Sequence, residues 1–111
     1  MRKIEREMNT AIAERRDWRK DNTRVVYSPV RDTVEVYLHN NLIAIITEGA
    51  IQIFDGGWQS NTTKSRLNAI FDGNGHPSEG VYQKQYQWYV RINTVGNKIV
   101  TVPFFSGMRI N

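Results

Sequence analysis

The sequence predicts an α+β fold: an antiparallel β-sheet, built as a meander plus a C-terminal hairpin, with two helices packed against it in the order αββββαββ. Three observations predict it. Apolar residues recur at helical spacing near the N-terminus and at a spacing of two from residue 24 onward. Turn signals at Asn40-Asn41, Glu48-Gly49 and Gly96-Asn97 separate the strand-like runs by hairpin-length gaps, which favours antiparallel pairing. A second helical stripe, Leu67, Ile70 and Phe71, interrupts the strands.

Ile4, Met8, Ala11 and Ile12 define the apolar side of the first helix, residues 2–16, within a basic amphipathic segment 1–20. Arg2, Lys3, Glu5, Arg6, Asn9, Glu14 and Arg16 fill its other faces. Arg24 to Tyr27 is a short strand ended by Ser28-Pro29. In Thr33 to Leu38, residues Val34, Val36 and Leu38 alternate with polar neighbours, as a half-buried strand requires. Asn tolerates positive φ, so Asn40-Asn41 turns the chain into its partner, Leu42 to Thr47. Glu48-Gly49 leads to the strand Ala50 to Phe54, and Asp55-Gly56-Gly57 ends the meander.

A short helix within 62–72 follows, capped by Asn61, Thr62 or Thr63 and closed by Asp72-Gly73. The reading then gives one long strand from Tyr82 to Ile92. Tyr82, Lys84, Tyr86 and Trp88 lie on one face of it, Tyr89 and Arg91 on the other. Gly96-Asn97 turns the chain into a last strand, Lys98 to Phe104. The sheet region spans 24–105, and residues 1–111 form a single domain with Ile4, Val34, Val36, Leu38, Ile43, Ile45, Leu67, Ile70 and Val90 as its core.

Composition narrows the chemistry. With 40% hydrophobic and 23% charged residues, the chain has the balance of a globular protein. Its lack of cysteine excludes disulfides, thiolate nucleophiles and zinc sites that need sulfur. The longest apolar run, Leu42 to Ile46, is far short of the roughly 20 residues that span a bilayer. The charged N-terminus has no apolar signal segment, so a cytoplasmic protein without a membrane partner is expected.

His39 and His76 have no metal-ligand partner at suitable spacing, and Glu35, Glu48, Asp55, Asp72 and Glu79 occur singly. No phosphate-cradling or nucleophile-elbow motif occurs. The expectation is therefore a protein that is not an enzyme, needs no metal or organic cofactor, and acts by binding a macromolecule.

The net charge is +4, and residues 1–24 hold most of the excess, with eight cations against five carboxylates. Such an element attracts phosphates. Two constellations fit nucleic acid best. In one, Trp58, Thr62, Thr63, Lys64 and Arg66 gather around a helix start, where free N–H groups favour anions. In the other, Tyr89 and Arg91 form part of an aromatic, cationic strand able to stack bases. Arg15, Arg16 and Arg19 form a third basic patch. The plainer alternative makes the hydroxyl residues caps, leaves the cations solvated and packs Trp58 in the core. The competing reading is an inhibitor or adaptor whose partner is a host or phage protein, such as a host enzyme or defence protein, bound at a strand edge or on the first helix.

Val36 to Ala44, Gly57-Trp58 and Thr62 to Ile70 resemble segments of small accessory proteins of tailed bacteriophages. The resemblance covers about a third of the chain. It implies a viral protein made in the cytoplasm of a host bacterium, with a virion component as a further alternative, and it transfers no functional residue.

Overall fold

A computed structural model describes residues 1–110. The first helix, α1, runs Lys3–Glu14 and buries Met8, Ala11 and Ile12, as their spacing requires. It also buries Glu5, which the sequence pattern placed on a polar face. The Glu5 carboxylate accepts the Arg2 N–H at 3.2 Å, supplying one bond that the helix start lacks. Arg15 ends the helix in the left-handed region, φ 54°, and the Arg16 N–H returns to the Ala11 carbonyl. Ile4 is only half-buried.

Five strands follow in a meander: β1 Trp18–Lys20, β2 Thr23–Ser28, β3 Thr33–Leu38, β4 Asn41–Thr47 and β5 Ala50–Ile53. β1 lies between the expected first helix and the expected strand from Arg24, in a segment with no apolar period. Its Trp18 stands opposite the buried Val25, and this pairing recruits three residues that carry no strand pattern of their own. The β3–β4 turn falls one residue earlier than expected. His39 and Asn40 both have positive φ, 51° and 64°, and Asn41 already pairs with Leu38.

A bulge at Val36/Tyr37 shifts the phase of β4. Ile43, Ala44 and Ile46 therefore pack on or in the core. Ile45, expected there, faces the other side between Glu35 and Gln52 and is half-buried.

The second helix, α2, spans Asn61–Asn74 and buries Thr63, Arg66, Leu67, Ala69, Ile70 and Phe71. Its cap is Ser60, whose Oγ accepts the Thr63 N–H at 3.0 Å, rather than any of the three residues after it. Gly73 does not close the helix. A Cβ there would come within 2.7 Å of Asn9 Nδ2, so the glycine makes room for the amide that joins α1 to the Ala69 carbonyl at 2.8 Å.

The long strand expected over 82–92 is a hairpin, β6 Gly80–Lys84 and β7 Gln87–Asn93, turning at Gln85-Tyr86. Both turn residues are left-handed, φ 50° and 67°, a conformation usually left to Asn and Gly. Val81 and Val90, both buried, face each other across this hairpin. β8 Ile99–Pro103 pairs with β7, and β9 Met108–Ile110 returns to pair with β5.

One sheet was expected, and two antiparallel sheets form, ordered β1-β2-β3-β4-β5-β9 and β6-β7-β8. Both helices are packed against them, α1 on β1, β2 and α2, and α2 on β4 and β6. Val25, Val36, Ala44 and Ile53 form one cross-strand row of the core, and the inner face of the small sheet adds Val81, Trp88 and Val90 to the same cluster. The Asn68 side chain ties α2 to the small sheet by bonding both the N–H and the carbonyl of Val81, at 2.7 and 3.0 Å. No helix among the described residues is long and apolar enough to cross a membrane.

Candidate nucleic-acid interface

The turn at Gln85-Tyr86 rearranges the aromatic strand. Pairing sets Tyr82 opposite Tyr89, Lys84 opposite Gln87 and Gly80 opposite Arg91, so these residues share one face of the small sheet. Gln83 and the buried Trp88 share the other. Tyr82 and Lys84 thus join Tyr89 and Arg91 instead of opposing them. The two tyrosine rings stack at 5.7 Å between centroids, 25° from parallel, and the Arg91 guanidinium lies 5.3 Å from the Tyr82 ring.

This face is turned to solvent: Lys84, Gln87, Arg91, Thr101 and Pro103 are exposed, and the two tyrosines are half-buried. Tyr86, at the hairpin tip, is 95% exposed. Residues 80–111 hold Lys84, Arg91, Lys98 and Arg109 and no carboxylate. Of these, Lys84 and Arg91 lie on the small sheet, whose strands carry no Asp or Glu, while the Glu79 carboxylate accepts the Asn93 N–H at 3.2 Å at its edge; most of the net charge excess lies in the N-terminal segment.

The other predicted residues separate. Arg66 is interior, 3% exposed, and cannot reach a nucleic acid. Its guanidinium donates to Glu5 Oε2 at 2.9 Å, Thr23 Oγ1 at 3.0 Å and Asn22 Oδ1 at 3.3 Å. Glu5 also accepts the Ser65 hydroxyl at 2.6 Å. Burial raises the Glu5 pKa, but the bonds from Ser65, the Arg2 backbone and Arg66 outweigh it and hold the carboxyl below its ordinary value. The result is a structural ion pair linking α1, α2 and β2. Periodicity could not reveal it, because a buried arginine needs its partner from 61 residues away.

Thr63 is buried as well, its hydroxyl bonded to Ser60. Lys64 is half-buried, with Nζ at 3.2 Å from Gln83 Oε1 and 5.9 Å from the Trp88 ring, which ties the first turns of α2 to the hairpin. Trp58 is 76% exposed rather than core. With Thr62 it lines a cavity of about 410 Å3 between the β3–β4 turn and the loop before α2.

Arg15 pairs with Asp32 at 3.0 Å and Arg16 with Glu14 at 2.6 Å, so carboxylates offset two of the three cations of that patch. Arg19 is exposed on β1, opposite Arg24. His39 lies in its turn, and His76 bonds Ser78 within its loop. Among the described residues, no group of three or more His, Asp or Glu side chains is arranged to hold a metal.

All of residues 1–111 match the family model described as Kyanoviridae Gp96 protein. The chain belongs to this family and is a phage protein. No curated protein and no solved structure matches it.

Proposed function

We propose that this Kyanoviridae Gp96 family protein binds single-stranded nucleic acid on the outer face of β6-β7-β8, without catalysis and without a cofactor, in the cytoplasm of the infected bacterium. The observation that carries the reading is the set of three tyrosines on one hairpin, Tyr82, Tyr86 and Tyr89, placed outside the core beside Lys84 and Arg91. Every base offers a π-face, so such a platform holds a strand without reading its sequence, while the cations track the phosphates. A duplex hides its base faces and is the poorer ligand.

Labelled single- and double-stranded DNA and RNA are titrated at low and physiological salt. Single strands bind more tightly, and Tyr89→Ala weakens them by about 1–3 kcal/mol. If three cations contact phosphates, the log–log salt slope is about −2. Absence of single-strand binding at low salt would overturn the reading.

One observation favours a protein partner instead. β8 is an edge of the small sheet, and Ile99 and Val100 on it are 45% and 41% exposed, as suits pairing with an added strand. In that case affinity purification from a bacterial lysate recovers one protein at near-equal stoichiometry, and Val100→Lys abolishes the recovery.

A further inference from the structure

The cavity beside α2 is built differently from the open tyrosine face. The cavity holds about 410 Å3, in the range of small-molecule sites, and Leu38 and Ile43 supply its apolar floor. Its walls carry polar groups of mixed type: the Asn41 amide, the Asp55 carboxylate and the Thr62 hydroxyl, with the His39 imidazole at the turn. Trp58, mostly exposed, stands at the same cavity.

Hydrogen bonds within the loop and to its neighbours support the walls. Asp55 Oδ1 accepts the Gly57 N–H at 2.8 Å, and the Asp55 N–H donates to Ser106 Oγ at 3.1 Å. Gly56 is left-handed at φ 70°, and a Cβ on it would come within 3.1 Å of Asn41 Cβ, so the loop lies directly on β4. Asn41 Nδ2 donates to the His39 carbonyl at 3.3 Å, which sets the amide at the cavity wall.

An aliphatic ligand would use the apolar floor and not the polar walls, whose amide and carboxylate keep donor and acceptor sites beyond their bonds within the loop. A flat heterocycle, apolar on its faces and bearing donors and acceptors around its rim, matches both. We propose that this cavity is a pocket for one unpaired nucleobase, stacked against Trp58 and bonded at its edge by Asn41 and Asp55. The choice of a nucleobase among heterocycles rests on the single-strand reading above. The pocket would supply the base preference that the tyrosine platform lacks.

The test uses the full-length protein and uncharged nucleosides, adenosine, guanosine, cytidine and thymidine, so that phosphate attraction contributes nothing. Nuclear magnetic resonance follows the Trp58 indole N–H and the Asn41 side-chain amide. One nucleoside is expected to shift both, saturably, at millimolar concentration. Trp58→Ala should weaken this binding by about 5- to 150-fold. Asn41→Ala should reduce the difference between nucleosides, and Tyr89→Ala should leave the shifts intact. If no nucleoside moves either resonance, the pocket assignment is wrong, whereas Tyr89-dependent strand binding would still stand. If a nucleoside binds and single strands do not, the pocket holds and the strand-binding role falls.

Discussion

Replacing Arg66 by methionine separates the structural reading of this residue from the surface reading that its position in a basic segment suggests. The substitution keeps a long apolar stem and removes the guanidinium. Glu5, 2% exposed, would retain only the Ser65 hydroxyl and the Arg2 N–H, while Thr23 Oγ1 and Asn22 Oδ1 would lose a donor. Breaking a buried pair from one side costs about 3–5 kcal/mol. Removing a surface cation costs less than about 0.5 kcal/mol.

Urea midpoints at neutral pH, with the denaturant slope unchanged, decide between these values. The pH dependence identifies the cause. In the parent, the Glu5 pKa is lowered on folding, so its stabilising contribution is present above the unfolded value of about 4.3 and lost as pH falls through the folded pKa. In the variant, the two lowering contributions of Arg66 are lost while burial still opposes ionisation, so less stability is gained as pH rises. The gap between the two proteins should therefore widen with pH across the carboxylate range. An Arg66→Met protein within about 0.5 kcal/mol of the parent, or a gap constant with pH, would refute this account.

At the hairpin tip, Gln85→Asn/Tyr86→Gly should raise stability by about 1–2 kcal/mol by relieving two left-handed residues, and a loss of stability would deny the turn. Asn68→Ala strands the Val81 N–H and carbonyl, costing about 1–3 kcal/mol for each group left unpaired; faster hydrogen exchange along β6 is the local readout. Leu67→Ala should cost about 2–5 kcal/mol, and Ile45→Ala distinctly less because the bulge turns Ile45 out of the core; equal costs would contradict the β4 register.

Strands β2 to β5 and both helices were legible because each carries its own period: Val34, Val36 and Leu38 alternate, and Leu67 and Ile70 fall on one helical side. What escaped depended on partners distant in sequence. Three polar-flanked residues become β1 only because β2 lies beside them. The bulge at Val36/Tyr37 is invisible in a run of apolar residues where either phase looks buried. The candidate site followed the same rule. Tyr89 and Arg91 were identified from their own strand, but their junction with Tyr82 and Lys84 required a turn made of glutamine and tyrosine, which no turn rule signals. Arg66 was misread in the opposite sense, since a cation beside a capped helix start looks the same in sequence whether it is solvated or paired with Glu5.

Tyr86 links the fold to the proposed function. In its place glycine would adopt φ 67° without strain, and a side chain 95% exposed returns almost no burial to the folded state. By local stability alone, tyrosine is a poor occupant of this position. Trp58 poses the same question, a large indole 76% exposed after a glycine pair. Two aromatics that the core does not need, one at the tip of a carboxylate-free hairpin and one at a polar cavity, are explained when a ligand covers them. Flat, apolar base faces are the surface that both would complement, and Lys64, bonded to Gln83, ties the first turns of α2, just beyond Trp58, to the hairpin that carries Tyr86. Under the two proposals above, general affinity would belong to the small sheet and selectivity to the loop before α2.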